Sequence, residues 1–112
     1  MTKNGSNSLH IAASNGQFGL VKYFTKDCQM DPQTVNENGW NTLHCASVNG
    51  SLEIVQYLMT VHKMDPKTVK KNGSNTLHIA ALNGQFVLVK YFTRDCKMDP
   101  KTVTKDLSLI HI

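Results

Sequence analysis

Three of the five histidines, all three cysteines and three of the six aspartates are the residues of this chain that most invite chemistry, and most of them recur at one interval. His10, His44 and His78 stand 34 residues apart, as do Asp31, Asp65 and Asp99, while Cys28 and Cys96 are separated by twice that distance, with Cys45 out of step. Histidine and cysteine are ligands for zinc. A cysteine is a nucleophile when a base activates it, and neighbouring carboxylates carry general acid–base work. Whether any of these residues can act together depends on the elements that carry them.

Those elements repeat. Asn4-Gly5, Asn38-Gly39 and Asn72-Gly73 mark units 4–37, 38–71 and 72–105, and the first and third units are identical at 26 of 34 positions. Self-similarity of this kind predicts a solenoid, in which each unit buries its apolar face only against its neighbours. A period of 34 also suits an almost wholly helical repeat. Here, however, each unit spends about ten residues on MDPQTVNENG, MDPKTVKKNG or MDPKTVTKDL, where proline and Asn-Gly predict an extended segment and a tight turn.

Two short helices remain in each unit. The first is predicted to start at an N-cap asparagine, Asn7, Asn41 or Asn75, and to run to about Asn15, Asn49 or Asn83, with Gly16, Gly50 and Gly84 in the turn beyond. The second lies in QFGLVKYFT, SLEIVQYLM and QFVLVKYFT. Its apolar positions, Phe18, Val21 and Phe24 in the first unit, form one face, with Leu20, Ile54 and Leu88 alongside. Ala12, Ala46 and Ala80 leave room for the first helix to approach closely.

In such a stack the candidate chemistry falls away. Equivalent residues lie roughly 8 to 10 Å apart per unit, whereas zinc holds each nitrogen at about 2.1 Å, so no single ion reaches two of the histidines. They are expected instead to tie cap and turn together by hydrogen bonds. Cys28 and Cys96, two units apart, lie beyond the roughly 7 Å between Cα atoms that a disulfide spans. Cys45 takes the place of Ile11 and Ile79 and reads as a small hydrophobe. Each aspartate precedes a proline, where its carboxylate caps a local turn. No glycine-rich phosphate loop is present, and no nucleophile, base and orienter converge. No catalytic residue, cofactor or metal is expected.

Composition agrees with a globular chain: 112 residues, 40% hydrophobic and 18% charged. No run approaches the roughly 18 apolar residues of a membrane span, and the N-terminal residues lack the apolar segment of a signal peptide. An intracellular, cytoplasmic location is expected, in keeping with three cysteines that match no disulfide framework. The formal charge of +4 is unevenly placed, with Lys63, Lys67, Lys70 and Lys71 crowding one connecting segment and Lys97, Lys101 and Lys105 the next. This gives a second function class, a binder of nucleic acid or an acidic surface. Without a basic helix or aromatics interleaved among the lysines, nucleic acid is disfavoured.

The pattern Asn-Gly-x-x-x-Leu-His-x-Ala-x-x-x-Gly, three times in one register and followed by a helix with Leu-Val or Ile-Val, resembles the ankyrin repeat over residues 4 to about 105. The resemblance implies an all-α solenoid of stacked helix-turn-helix units with projecting β-turn loops. It also implies a non-catalytic scaffold that binds a partner protein on its concave face and turn tips. Two departures stand out. The proline usual before Leu-His is absent, Asn7-Ser8, Asn41-Thr42 and Asn75-Thr76 standing there, and the glycine usual at the end of the second helix is replaced by Cys28, His62 and Cys96 in a unit one residue longer than 33. Met30, Met64 and Met98 are expected to fill the apolar position after that exit.

Positions that hold a stack must recur, whereas positions facing a partner are free to differ. Three places differ in character: Lys3, Glu37 and Lys71 before Asn-Gly; Ser6, Trp40 and Ser74 after it; Ser14, Val48 and Leu82 near the end of the first helix. The resemblance places them on the turn tips and the inner helices, so these nine residues are the candidate partner-binding set. Trp40, the single tryptophan, serves either as an anchor for the partner or as packing for the neighbouring turn.

Neither end reads as a polar cap. Phe86, Val89 and Phe92 are expected to be exposed, which suggests continuation into further repeats or end-to-end association. Residues 106–112 leave the register, and their IHI reads either as the start of a further unit or as a read-through scar.

Overall fold

The computed structural model describes residues 5–101. The helices are α1 (Ser8–Ser14), α2 (Phe18–Lys26), α3 (Thr42–Asn49), α4 (Leu52–Thr60), α5 (Thr76–Leu82) and α6 (Phe86–Lys90), the last running into a π-helical turn, Tyr91–Asp95. No strand occurs among the described residues. The fold is the expected all-α array of paired helices with projecting turns.

Each of α1, α3 and α5 begins with the same device. The Asn7 side chain accepts from the His10 N–H at 3.0 Å, and His10 Nδ1 accepts in return from the Asn7 N–H at 3.0 Å. Asn41 with His44 and Asn75 with His78 repeat this box. Two of the orphan donors of each helix start are thereby satisfied, which offsets the missing proline. The imidazole also reaches beyond its helix, as His10 Nε2 lies 2.8 Å from the Thr34 carbonyl and His44 Nε2 2.8 Å from that of Thr68. Because Nδ1 accepts, the proton sits on Nε2 and is donated. One histidine thus fixes a helix start and the segment that leads to the next unit, as expected for the structural reading.

The first helices of successive units pack closely, and the second helices less closely behind them. Ala12, Ala13, Ala46 and Ala80 are buried between them and permit the approach. Leu9, Leu43 and Leu77 lie beneath the first helices, while Val21, Ile54, Val55, Leu58 and Leu88 come from the second, all in one cluster. Burying each large apolar side chain stabilises the array by about 1.5 to 3 kcal/mol.

Between units the chain makes a tight turn. The Gly39 N–H bonds the Asn36 carbonyl at 3.0 Å and the Gly73 N–H the Lys70 carbonyl at 2.9 Å, both glycines having positive φ. Successive turns also join, the Lys71 N–H donating to the Asn38 carbonyl at 3.2 Å. A Cβ on Gly39 would stand 2.9 Å from that Lys71 nitrogen, so the turns can pair only because glycine is there.

The exit of the second helix shows where the extra residue goes. The Met30, Met64 and Met98 N–H groups each bond a carbonyl six residues back, those of Phe24, Leu58 and Phe92. The Cys28 N–H bonds the Tyr23 carbonyl and the Cys96 N–H that of Tyr91, five residues back. These π-type rings hold one residue more than a regular helix end. The left-handed position falls not on Cys28, His62 or Cys96 but one residue later, on Gln29, Lys63 and Lys97, with φ of 54°, 56° and 58°. Met64 and Met98 are buried beyond it and Met30 is partly so, as expected.

One expectation is corrected. Phe92 is not exposed. It is fully buried, in the same cluster as Leu77, Leu88 and Met98. Val89 is half-buried, and only Phe86 of the three stands out, at 70% exposure. A three-residue recurrence groups these side chains on one stripe, but the widened final turn and the methionine after it cover the last of them.

Candidate partner-binding face

Of the nine residues at which the units differ in character, the structure brings six together. Trp40 walls two adjoining hollows. One, of about 280 Å³, is lined by Ser6, Ser14, Asn36, Asn38, Trp40, Cys45 and Val48. The other, of about 120 Å³, is lined by Trp40, Lys70, Ser74, His78, Ile79, Leu82 and Asn83. Ser6, Ser14, Trp40, Val48, Ser74 and Leu82 therefore share one continuous surface, with the tryptophan as its central ridge.

Their roles differ. Ser6 and Ser74 are buried floor rather than surface. Ser6 accepts from Asn36 Nδ2 at 3.0 Å, joining the turns on either side of α1. The place that Asn36 takes for Ser6 falls for Ser74 on Thr104, outside the described residues, and the buried Ser74 hydroxyl has no hydrogen-bond partner among the described residues. Leu82 is exposed and Val48 half-exposed. Glu37 and Lys71 are exposed on the turn tips, each against the glycine of the preceding turn, Gly5 or Gly39. Lys3 lies outside the described residues.

Both readings of Trp40 have a basis in its surroundings. Its ring stands edge-on to His44 with centroids 6.3 Å apart, and Lys70 Nζ lies 4.9 Å above its face. The neighbouring turn therefore packs on it. The ring is nevertheless only half-buried, and its remaining surface is what separates the two hollows. The lysine-rich segments meet at a different place, a hollow of about 360 Å³ where Lys67 and Lys97 lie with Asp99 and His78.

A family model of ankyrin repeats, in three copies, matches residues 9–104. The chain is an ankyrin repeat protein. No curated protein matches it. Among solved structures, that of the yeast ribosomal protein Rps3 in complex with its chaperone Yar1 contains a chain similar to this array. The TM-score is 0.76 at 28% identity, over 90% of this chain and 73% of that one. The structure of Bd0816, a predatory endopeptidase from Bdellovibrio bacteriovorus, in complex with the immunity protein Bd3460 contains another. There the TM-score is 0.73 at 24% identity, over 80% of this chain and 46% of that one, so the array spans about half its length. The second likeness bears on the fold alone.

Ankyrin repeats are generally non-catalytic interaction modules. No group of three or more histidines, cysteines or acids that could hold a metal occurs among the described residues. Cys28, Cys45 and Cys96 are free thiols. Burial pushes the Cys45 thiol up to about 11, opposed by a hydrogen bond with Ser14, so it stays protonated and apolar at neutral pH. No helix among the described residues is long and apolar enough to cross a membrane.

His44 gives the array a pH dependence. Burial, aided by the charge of Lys70, holds its pKa below the ordinary 6.5, although the Thr68 carbonyl works in the opposite direction. The unfolded chain therefore takes up the His44 proton at a higher pH than the folded one. Stability is fully present above about pH 6.5 and falls as the pH drops below it, because protonation would set an N–H on Nδ1 against the Asn41 N–H. Thermal melts between pH 7.5 and 5.5 are expected to show a steadily falling midpoint. A midpoint flat across that range would show that His44 is not held neutral.

Proposed function

We propose that this ankyrin array is a non-catalytic scaffold that binds a partner protein on its concave face and turn tips, with Trp40 at the centre of the contact. The observation that carries this reading is the convergence of the non-recurring positions on the two hollows that Trp40 divides. The smaller hollow, walled by Trp40, Ile79 and Leu82, has the size and apolar character to take a branched aliphatic side chain of the partner. Exposed Glu37 and Lys71 at the tips would set orientation and association rate rather than affinity. The complex of yeast Rps3 with its chaperone Yar1, which contains the chain similar at 28% identity, favours a protein ligand here also. An intracellular setting suits the free thiols.

A second reading rests on the hollow shared by Lys67 and Lys97, which offers positive charge to a nucleic acid or an acidic surface. Asp99 in the same hollow weakens it. Affinity capture at two salt concentrations separates the two. Protein ligands held at high salt and weakened about 30-fold by Trp40→Ala, the effect of losing one anchor of about 2 kcal/mol, are the expected result. Ligands released by modest salt and indifferent to Trp40→Ala would favour the lysine surface instead.

A further inference from the structure

The interface between the first and second units is held by a latch that both ends of the array carry open. Within the array, the Phe18 ring meets Tyr57 edge-on at 5.6 Å between centroids. Thr25 Oγ1 lies 2.8 Å from the Tyr57 hydroxyl. Because Thr25 spends its own proton on the Val21 carbonyl at 2.8 Å, it accepts here, and the tyrosine donates. With His62 of its own unit also edge-on to the ring at 5.2 Å between centroids, Tyr57 is only 8% exposed.

The second interface lacks this latch. The residues one period after Phe18 and Thr25 are Leu52 and Met59, and Tyr91 has no threonine across from it. The third unit restores what the second lost. Phe86 and Thr93 stand one further period along, and their settings are copies of the first. Lys90 Nζ lies 5.1 Å over the Phe86 ring, as Lys22 Nζ lies 4.9 Å over that of Phe18. Thr93 Oγ1 donates to the Val89 carbonyl at 2.8 Å, as Thr25 does to Val21, and keeps its acceptor side for a donor from outside. At the opposite end stands Tyr23, the counterpart of Tyr57, 52% exposed.

A second correspondence agrees. At the second interface Gln85 Nε2 donates to the Val48 carbonyl at 2.9 Å and fills the space beside Gly50. The counterpart of Gly50 at the far end is Gly84, which has nothing within 4 Å of where a Cβ would stand. The counterpart of Gln85 at the near end is Gln17, exposed and without a side-chain cap bond.

We infer that the apolar end of the third unit docks a second copy of this chain, head to tail. In that contact Phe86 and Thr93 of one protomer receive Tyr23 of its partner as Phe18 and Thr25 receive Tyr57. Gln17 of the partner then enters the space beside Gly84. The contact joins two different surfaces and leaves a free end on each protomer, so it generates open chains rather than closed dimers. The inference is independent of the ligand bound around Trp40.

Sedimentation of the full chain over a wide concentration range tests it, with Tyr23→Glu and Phe86→Glu as variants. Both residues are exposed, and unchanged circular dichroism establishes that the variants fold. The expected result is a weight-average mass that rises past that of two chains for the wild type and stays at one chain for each variant alone. Mixing the two variants, which leaves one intact end on each, is expected to give a mass of two chains and no more. A wild-type chain that remains a monomer throughout would overturn the inference and leave these ends to further repeats. A mass that stops at two chains for the wild type would overturn it in favour of a closed, symmetric contact.

Discussion

His44→Ala is expected to cost the array about 3 kcal/mol, which for a chain of this size lowers the melting midpoint by more than about 10 °C. The imidazole is buried and bonded at both nitrogens, to the Asn41 N–H at 3.0 Å and to the Thr68 carbonyl at 2.8 Å. Alanine removes both partners at once and leaves a buried donor and a carbonyl without one, each at a cost of about 1 to 3 kcal/mol. It also takes away the edge on which the Trp40 ring rests. His44→Gln, which can reach only one of the two groups, should fall between alanine and the wild type. A loss under about 0.5 kcal/mol for His44→Ala would mean that water replaces the relay and that the histidine has another purpose.

Phe92→Ala is expected to destabilise by about 3 to 5 kcal/mol, the cost of emptying a fully buried aromatic site. Phe86→Ala, six residues earlier on the same helical stretch, should fall within about 0.5 kcal/mol of the wild type at concentrations where the chain is monomeric. The contrast is informative because a three-residue recurrence treats the two as equivalent. Denaturant unfolding of both variants measures it directly. Equal losses would place the two rings in like surroundings, contrary to the burial of one and the 70% exposure of the other.

The paired helices, their caps and the turns between them could be read from the sequence, because each unit states them again. Asn7, Asn41 and Asn75 announce the helix starts, and the structure adds only that the histidine three residues later closes the box from the other side. The exit of the second helix was not legible. No glycine or asparagine marks Gln29, Lys63 or Lys97 as left-handed, and the reason lies in hydrogen bonds five and six residues long that side-chain periodicity does not encode. The candidate face was half legible. Divergence between units picked out Trp40, Val48 and Leu82, yet it also picked out Ser6 and Ser74, which differ from Trp40 because of what stacks on them and are buried. The latch formed by Thr25 and Tyr57 carries no sequence signal of its own. Threonine and tyrosine both recur in the pattern, and only their separation of 32 residues, set by the stacking, joins them.

The relays from His10 and His44 to carbonyls 24 residues onward, and the bond from Gln85 back 37 residues to Val48, bound the distance over which one part of this chain senses another. Among the described residues these bonds join a unit only to itself or to its neighbour. A disturbance of α5 therefore reaches α1 only by way of α3, which packs against both.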